Sequence, residues 1–259
     1  MHPVLVRVGP LAIYSYGLAL VLAFLVGTWL AARAAGAGPA ARGALSPSQV
    51  VDLTCYSLLG GVVGARLFYV LLYWDIFLQA PFEMIALWRG GLVWYGGMVG
   101  AIFTGWCYVR LQRLVPSRVG DHMAPFMALG HAIGRIGCFL NGCCYGKPTE
   151  DWCGLVFPGQ SQAVMPTQLF EAAGLIAIFF VLRRMQRSSA LERPWEISGA
   201  YLIAYAMLRF ALEFLRGDQT TWWGGLTLQQ LISVGVLAVG MVLVGVARRR
   251  QWLEHTNSS

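Results

Sequence analysis

The sequence predicts an all-α integral membrane protein of about seven transmembrane helices, with its amino terminus outside and its carboxyl terminus in the cytoplasm. Three observations lead there. The 259 residues are 57% hydrophobic and only 12% charged, with a mean hydropathy of +0.60, and an average soluble domain carries about twice that charged fraction. Apolar stretches of about 20 residues, enough to cross a hydrocarbon core of about 30 Å, recur along the chain. The basic residues are distributed unequally between alternate loops. The same composition excludes a disordered, fibrous or disulfide-scaffold protein. It also makes nucleic acid an unsuitable partner, although the net charge is +7.

Seven stretches qualify as spans. The first, Leu11 to Ala35, is too long for the apolar core of a signal peptide and reads as an uncleaved helix. Gln49 to Tyr73 and Leu92 to Leu111 follow. Asp121 to Leu140 is the weakest, rich in Gly and interrupted by His131 and Arg135, so it reads as a broken or partly re-entrant helix. Pro166 to Met185, Ile197 to Leu215 and Leu226 to Ala247 complete the set. No repeat, low-complexity tract or Pro-rich linker divides residues 1–259, which form a single polytopic membrane domain with a small outward-facing loop region at about 141–165.

Orientation follows from the positive-inside rule. One set of loops holds twelve basic residues: Arg33, Arg42, Arg110, Arg113, Arg118, Arg183, Arg184, Arg187, Arg193, Arg248, Arg249 and Arg250. The opposite set holds four: Arg7, Arg89, Lys147 and Arg216. The first set is therefore cytoplasmic. Arg248, Arg249 and Arg250 suit anionic lipid on that side. The tryptophans Trp74, Trp88, Trp94, Trp152, Trp222 and Trp223 suit an interfacial belt on the other.

Arg66, Arg135 and Arg209 remain, all inside apolar segments, together with Glu171 and Glu213. Each ionisable group in a span costs roughly 2.5–3.5 kcal/mol on insertion scales. Arg209 and Glu213, four apart, can neutralise each other on one helix face. Arg66 and Arg135 lack an obvious partner, which favours a functional cavity. Arg209, Glu213 and Arg216 fall at i, i+4 and i+7, as do His131, Arg135 and Cys138. A cluster of guanidinium groups near the outer ends of these spans suits an anionic lipid head group, because the planar fork grips phosphate oxygens.

Six blocks carry a family resemblance: Tyr14-Ser15-Tyr16-Gly17, Gly64-Ala65-Arg66-Leu67-Phe68-Tyr69, Gly90-Gly91-Leu92-Val93-Trp94-Tyr95-Gly96-Gly97, Gly134-Arg135-Ile136-Gly137-Cys138-Phe139-Leu140-Asn141-Gly142, Pro166-Thr167-Gln168-Leu169-Phe170-Glu171 and Arg209-Phe210-Ala211-Leu212-Glu213-Phe214-Leu215-Arg216. In this order, over nearly the whole chain, they resemble prolipoprotein diacylglyceryl transferases. The resemblance implies a multi-pass enzyme of the bacterial cytoplasmic (inner) membrane with its site toward the outer leaflet. Such enzymes move the diacylglyceryl group of phosphatidylglycerol to the lipobox cysteine of a preprolipoprotein and release glycerol phosphate. Phosphatidylglycerol, the lipobox segment and membrane lipids are the implied partners. Neither a metal nor an organic cofactor is implied.

The chemistry gives the matched residues roles. Expelling a phosphate monoester builds negative charge on the departing oxygen, and fixed cations in a dry site stabilise that transition state. Arg135 and Arg209 hold this position by motif, with Arg216 supporting and Glu213 orienting them. Tyr16 is placed to hydrogen-bond lipid. Arg66, Gln168 and Glu171 complete the substrate-binding set, and a structural helix-end network is an equal alternative for the last two.

Three positions depart from the family pattern. Tyr95 stands where the resemblance implies a catalytic His, Cys138 where it implies Asn, and Cys143 where it implies an acid. Tyr95 is then the positional candidate for acid–base work, and His131 the alternative base. A different donor or acceptor, or a non-catalytic relative that binds anionic lipid, are the competing functions. Cys55 and Cys107 read as packing residues. For Cys138, Cys143, Cys144 and Cys153 the alternatives are a disulfide from Cys143 or Cys144 to Cys153, zinc, a nucleophilic thiol, or free thiols; zinc lacks the paired Cys-x-x-Cys and His spacing.

Overall fold

The computed structural model describes residues 3–8, 11–35, 45–87, 90–187, 193–216 and 221–257. Trp88, Arg89 and Arg42 lie outside them. The elements run β1 (Val4–Val8), β2 (Leu11–Tyr14), α1 (Ser15–Ala35), α2 (Pro47–Leu72), α3 (Trp74–Gln79), a 3₁₀ turn (Pro81–Ile85), α4 (Trp94–Leu111), α5 (Pro116–Asn141), α6 (Thr167–Arg187), α7 (Glu196–Glu213), β3 (Thr221–Trp223), β4 (Leu226–Thr227) and α8 (Leu228–Asn257). Each apolar stretch read from the sequence coincides with one long helix.

The chain is that of a multi-pass helical membrane protein. Among the described residues α1, α2, α5 and the Leu228–Arg249 part of α8 are long and apolar enough to cross a bilayer. Large apolar side chains such as Val63, Phe103 and Val242 are more than 60% exposed, an arrangement that lipid tails favour and water does not. The helices α4, α6 and α7 have 18, 21 and 18 residues and are not among these four.

The first span begins later than expected. Leu11–Tyr14 pairs antiparallel with Val4–Val8, Val8 opposite Leu11 and Arg7 opposite Ala12. The Ser15 N–H donates to the Pro3 carbonyl at 3.0 Å, closing the hairpin where α1 starts. The β-branched run at Val4, Val6, Val8 and Ile13 favours a strand here over another helical turn.

Two compact units make up the chain, one formed by the hairpins, most of α1 and α5, and α6 to α8, the other by α2 to α4. In the second unit Ser46 and Gln49 form a reciprocal capping box at the start of α2. α2 and α4 then meet along small residues: a Cβ at Gly100 would stand 2.2 Å from the Gly60 carbonyl oxygen, and one at Gly64 2.4 Å from that of Gly96. Both helices thus use a glycine four residues from another to bring backbones together.

In the first unit Ala124, Ala128 and Ala132 on α5 pack against Leu175, Ile178 and Leu182 of α6 and Ile197 of α7. α5 is continuous despite Pro125. Proline has no N–H to give the carbonyl four residues back, and that carbonyl, of Asp121, accepts from Gln186 Nε2 at 2.7 Å instead. The Asp121 carboxylate in turn accepts from the Trp195 N–H, the Ser198 N–H and the Ser198 hydroxyl, each at 2.7 Å. It caps α7 from a neighbouring helix, answering orphan donors that helix starts leave unmet.

Candidate functional site

The charged groups of the first unit meet where α5, α6 and α7 converge. Glu171, one turn into α6, is buried at 2% exposure. Its Oε1 lies 3.0 Å from Arg135 Nη2, 3.6 Å from His131 Nε2 and 3.5 Å from the Tyr205 hydroxyl, which donates to it. His131 and Arg135 are one turn apart on α5, so one carboxylate serves both. The His131 ring also packs edge-on against Tyr205 at 5.1 Å.

A second pair lies one turn further along α7. Arg209 Nη2 is 2.9 Å from Glu213 Oε2, and Glu213 Oε1 accepts from Thr227 Oγ1 at 2.9 Å. Tyr205, Arg209 and Glu213 therefore line one face of the helix. Two nitrogens are left over: Arg135 Nε and Arg209 Nη1 are buried without a hydrogen-bond partner. Buried donors are normally satisfied, so each arginine is tied to a carboxylate and keeps a donor for something else.

The far end of α5 builds the adjoining loop. Gly142 takes φ +76°, the Gly142 N–H donates to the Phe139 carbonyl, and the Cys143 N–H donates to that of Cys138 at 3.2 Å. This is a Schellman termination, which brings the side chains of its first and last residues together. Here both are cysteines. Cys144 follows with a left-handed φ of 64°, unusual for a residue bearing a side chain. The start of α6 holds this turn: Gln168 Nε2 donates to the Cys143 carbonyl at 2.6 Å and Thr167 Oγ1 to that of Cys144 at 3.1 Å. All six cysteines are free, and Cys153, instead of bonding Cys143 or Cys144, sits 3.8 Å from Met165 Sδ. Hydrogen bonding to Cys138 and Cys143, together with the charges of Arg135 and Arg216, outweighs burial and draws the Cys144 thiol down to about 5. Burial raises that of Cys143.

Beyond the thiols the chain bridges Pro148 and Leu155 to Val164 around a fully buried Phe157. The Lys147 N–H donates to the Leu215 carbonyl at 2.9 Å, which brings Lys147 beside Arg216. Arg216 itself lies past the end of α7, its N–H bonded to the Glu213 carbonyl. The helical stripe expected through Arg209, Glu213 and Arg216 thus ends at its second member. Tyr16 is 39% exposed near the start of α1, and a Cβ at Gly137 would meet its ring at 3.5 Å. It shares the Arg135 side of the first unit.

Arg66 and Tyr95 belong to the second unit. Arg66 is buried and donates to four backbone carbonyls: Nε to Met84 at 2.8 Å, Nη2 to Glu83 at 2.5 Å, and Nη1 to Gly90 and Gly91 at 2.6 and 3.1 Å. Its guanidinium also lies over the Tyr69 and Phe77 rings. The sequence offered no partner for Arg66 because backbone oxygens leave no trace in residue identity. Tyr95, the second residue of α4, is 57% exposed with its ring edge-on to Trp94 at 5.3 Å. Sequence reasoning also missed Tyr205, whose spacing of four from Arg209 was the available signal, and the joining of Arg135 to Glu171.

The family model for prolipoprotein diacylglyceryl transferase matches residues 3–246. Phosphatidylglycerol–prolipoprotein diacylglyceryl transferases from three bacteria are similar along almost their whole length. That of Methylococcus capsulatus is 34% identical, covering 97% of each chain. That of Oleidesulfovibrio alaskensis is 36% identical over 96% of this chain and 94% of its own. That of Rhodospirillum rubrum is 37% identical over 96% and 93%.

Proposed function

Because the chain belongs to the prolipoprotein diacylglyceryl transferase family, we infer that it transfers the diacylglyceryl group of phosphatidylglycerol to the lipobox cysteine of a preprolipoprotein. The observation that carries this reading is the pair of half-buried arginines, each bound to one carboxylate and each holding a buried, unpartnered nitrogen. A phosphodiester entering between them would accept from both. The charge of Glu171 and Glu213 cancels that of Arg135 and Arg209 while the site is free, and Arg216 and Lys147 add positive field beside it.

In the reaction the acceptor sulfur forms a bond to the terminal glycerol carbon, and the carbon–oxygen bond to phosphate breaks. The electron pair leaves on the phosphate oxygen, and the thiol proton passes to a base. Arg135 and Arg209 stabilise the charge that builds on the departing oxygen, an interaction stronger in the transition state than in the starting lipid. Arg216 supports them, Glu171 and Glu213 orient the two guanidinium planes, and Gln168 fixes the adjoining turn. Tyr16 meets the lipid, and Arg66 fixes the Gly90–Gly91 segment ahead of Tyr95. Tyr95 and His131 are the two groups available to take the thiol proton, and His131 is the one with an orienting carboxylate.

We read seven spans, α1, α2, α4, α5, α6, α7 and α8, in one polytopic domain of the cytoplasmic membrane. Arg183, Arg184 and Arg187 gather at the end of α6 about 18–24 Å along the helix from Glu171, at 1.5 Å per residue. The positive-inside rule then puts the site toward the outer leaflet and the amino terminus outside. The test supplies the purified chain with phosphatidylglycerol and a lipobox peptide and looks for the thioether by mass spectrometry. Product on the cysteine supports the reading; product on another nucleophile, or lipid bound without turnover, overturns it.

A further inference from the structure

We propose that Cys138, Cys143 and Cys144 form a three-thiolate binding site for a thiophilic d10 metal ion, of the Zn(II) or Cu(I) type, with a coordination position left open. The three sulfur atoms all lie within 4.8 Å of one another, and those of Cys143 and Cys144 are 3.6 Å apart. Thiolates bound to zinc at about 2.3 Å sit about 3.8 Å from each other in a tetrahedron. Sulfurs within 4.8 Å of one another are at most about 1 Å from that spacing.

The backbone already makes the triad. The Schellman turn sets Cys143 against Cys138, the left-handed φ at Cys144 adds the third sulfur, and Gln168 and Thr167 clamp the carbonyls of Cys143 and Cys144. Linear spacing concealed the site, because Cys138 and Cys143 are five apart and no His accompanies them. Three sulfur ligands select soft ions over Mg²⁺ or Ca²⁺. All three sulfurs bind as thiolates, which leaves a complex of charge −1 with Zn(II) or −2 with Cu(I). The Arg135 and Arg216 guanidinium groups, whose charges reach Cys144, balance it. Cys144 is exposed while Cys138 and Cys143 are half-buried, so the open position faces outward.

That position suits a fourth thiol. Resting on the transferase reading, it would take the lipobox sulfur as a thiolate, since a metal-bound thiol gives up its proton on coordination, and that proton would pass through water to His131, the base named above. Arg135 stands one turn before Cys138, so the activated sulfur and the phosphate clamp would be neighbours. The metal would then supply the activation that the family pattern otherwise assigns to the His absent at position 95.

The full chain, purified in detergent with reductant and then freed of it without oxygen, is titrated with Zn(II) and separately with Cu(I) against a chromophoric chelator. The expected result is one ion per chain, three sulfurs at about 2.3 Å by X-ray absorption of the zinc form, and loss of that equivalent in Cys138→Ser, Cys143→Ser and Cys144→Ser. Cys153→Ser keeps it. Cys144→Ser guards against misfolding, because Cys144 is exposed in a loop. A Co(II)-loaded sample should change its sulfur-to-metal absorption with a lipobox peptide and not with its Cys→Ser analogue. No stoichiometric binding by the reduced chain, binding that survives the triple Ser variant, or thiols lost pairwise and restored by reductant would each overturn the site. Turnover without metal would sink the proposal and leave the transferase reading intact; metal bound in a chain that makes no thioether would do the reverse.

Discussion

Replacing Arg135 separates two effects that the buried ion pair combines. The guanidinium lies 3.0 Å from Glu171, with the two side chains 18% and 3% exposed. Removing it strands a buried carboxylate, which costs about 3–5 kcal/mol of stability. It also removes a donor aimed at the leaving phosphate, worth about 2.7–4 kcal/mol of transition-state stabilisation, or about 10²–10³ in kcat. A mutant cycle with Glu171→Gln distinguishes them. Arg135→Ala should melt at lower temperature and turn over about 10²–10³-fold more slowly per folded molecule. Glu171→Gln keeps the cation but loosens its aim and should cost about tenfold, the size expected for one charge-assisted hydrogen bond of about 1.5 kcal/mol. The double variant should regain stability, because no charge is stranded, and remain as slow as Arg135→Ala. Thermal melting in detergent reads the first quantity and thioether formation from phosphatidylglycerol and a lipobox peptide the second. If the double variant recovers turnover to within tenfold of the unaltered chain, Arg135 serves only to neutralise Glu171.

Three further outcomes follow from the geometry. His131→Gln should lose about 10²–10⁴ in kcat, the range for a general base, while Tyr95→Phe stays near full rate; the opposite pattern would return the proton transfer to the phenol. Asp121→Ala abandons two N–H groups and a hydroxyl at the start of α7 and should lower stability by about 3 kcal/mol, with turnover per folded molecule unchanged; an unaltered melting temperature would show that water replaces the carboxylate. Gly100→Leu must push α4 away from the Gly60 carbonyl and should destabilise by about 3 kcal/mol, the upper end of the usual overpacking range, read as a lower melting temperature and faster proteolysis of the second unit.

Much of this architecture was legible because hydrophobic stretches and helical spacing are local properties. Seven apolar runs became seven long helices, and the spacing of four between Arg209 and Glu213 became an ion pair. The failures share a cause: they depend on partners distant in sequence or on the backbone. Arg135 finds Glu171 across two helices. Arg66 binds main-chain oxygens that any residue could offer. The Gly-rich fourth segment looked breakable, yet Gln186 supplies from α6 the hydrogen bond that Pro125 withholds. The stripe through Arg216 failed at a helix end, where α7 stops at Glu213. The thiols came together through a Schellman turn that Gly142 permits but does not announce.

The way Arg66 holds its loop has a bearing on how such a protein can diversify. A clamp that recognises side chains ties two positions to change together. Within the loop Arg66 grips the carbonyls of Glu83, Met84, Gly90 and Gly91, which are the same atoms whatever the side chains are. The fixed requirement narrows to Gly90 and Gly91, at φ +79° and +77°, and at Gly91 a Cβ would also stand 2.5 Å from the Tyr69 ring and 2.7 Å from Arg66 Nη1. Residues of the loop are free to drift toward new surfaces while its path stays anchored. One arginine therefore uncouples the shape of the segment from its chemistry, leaving that segment open to selection by whatever passes over it.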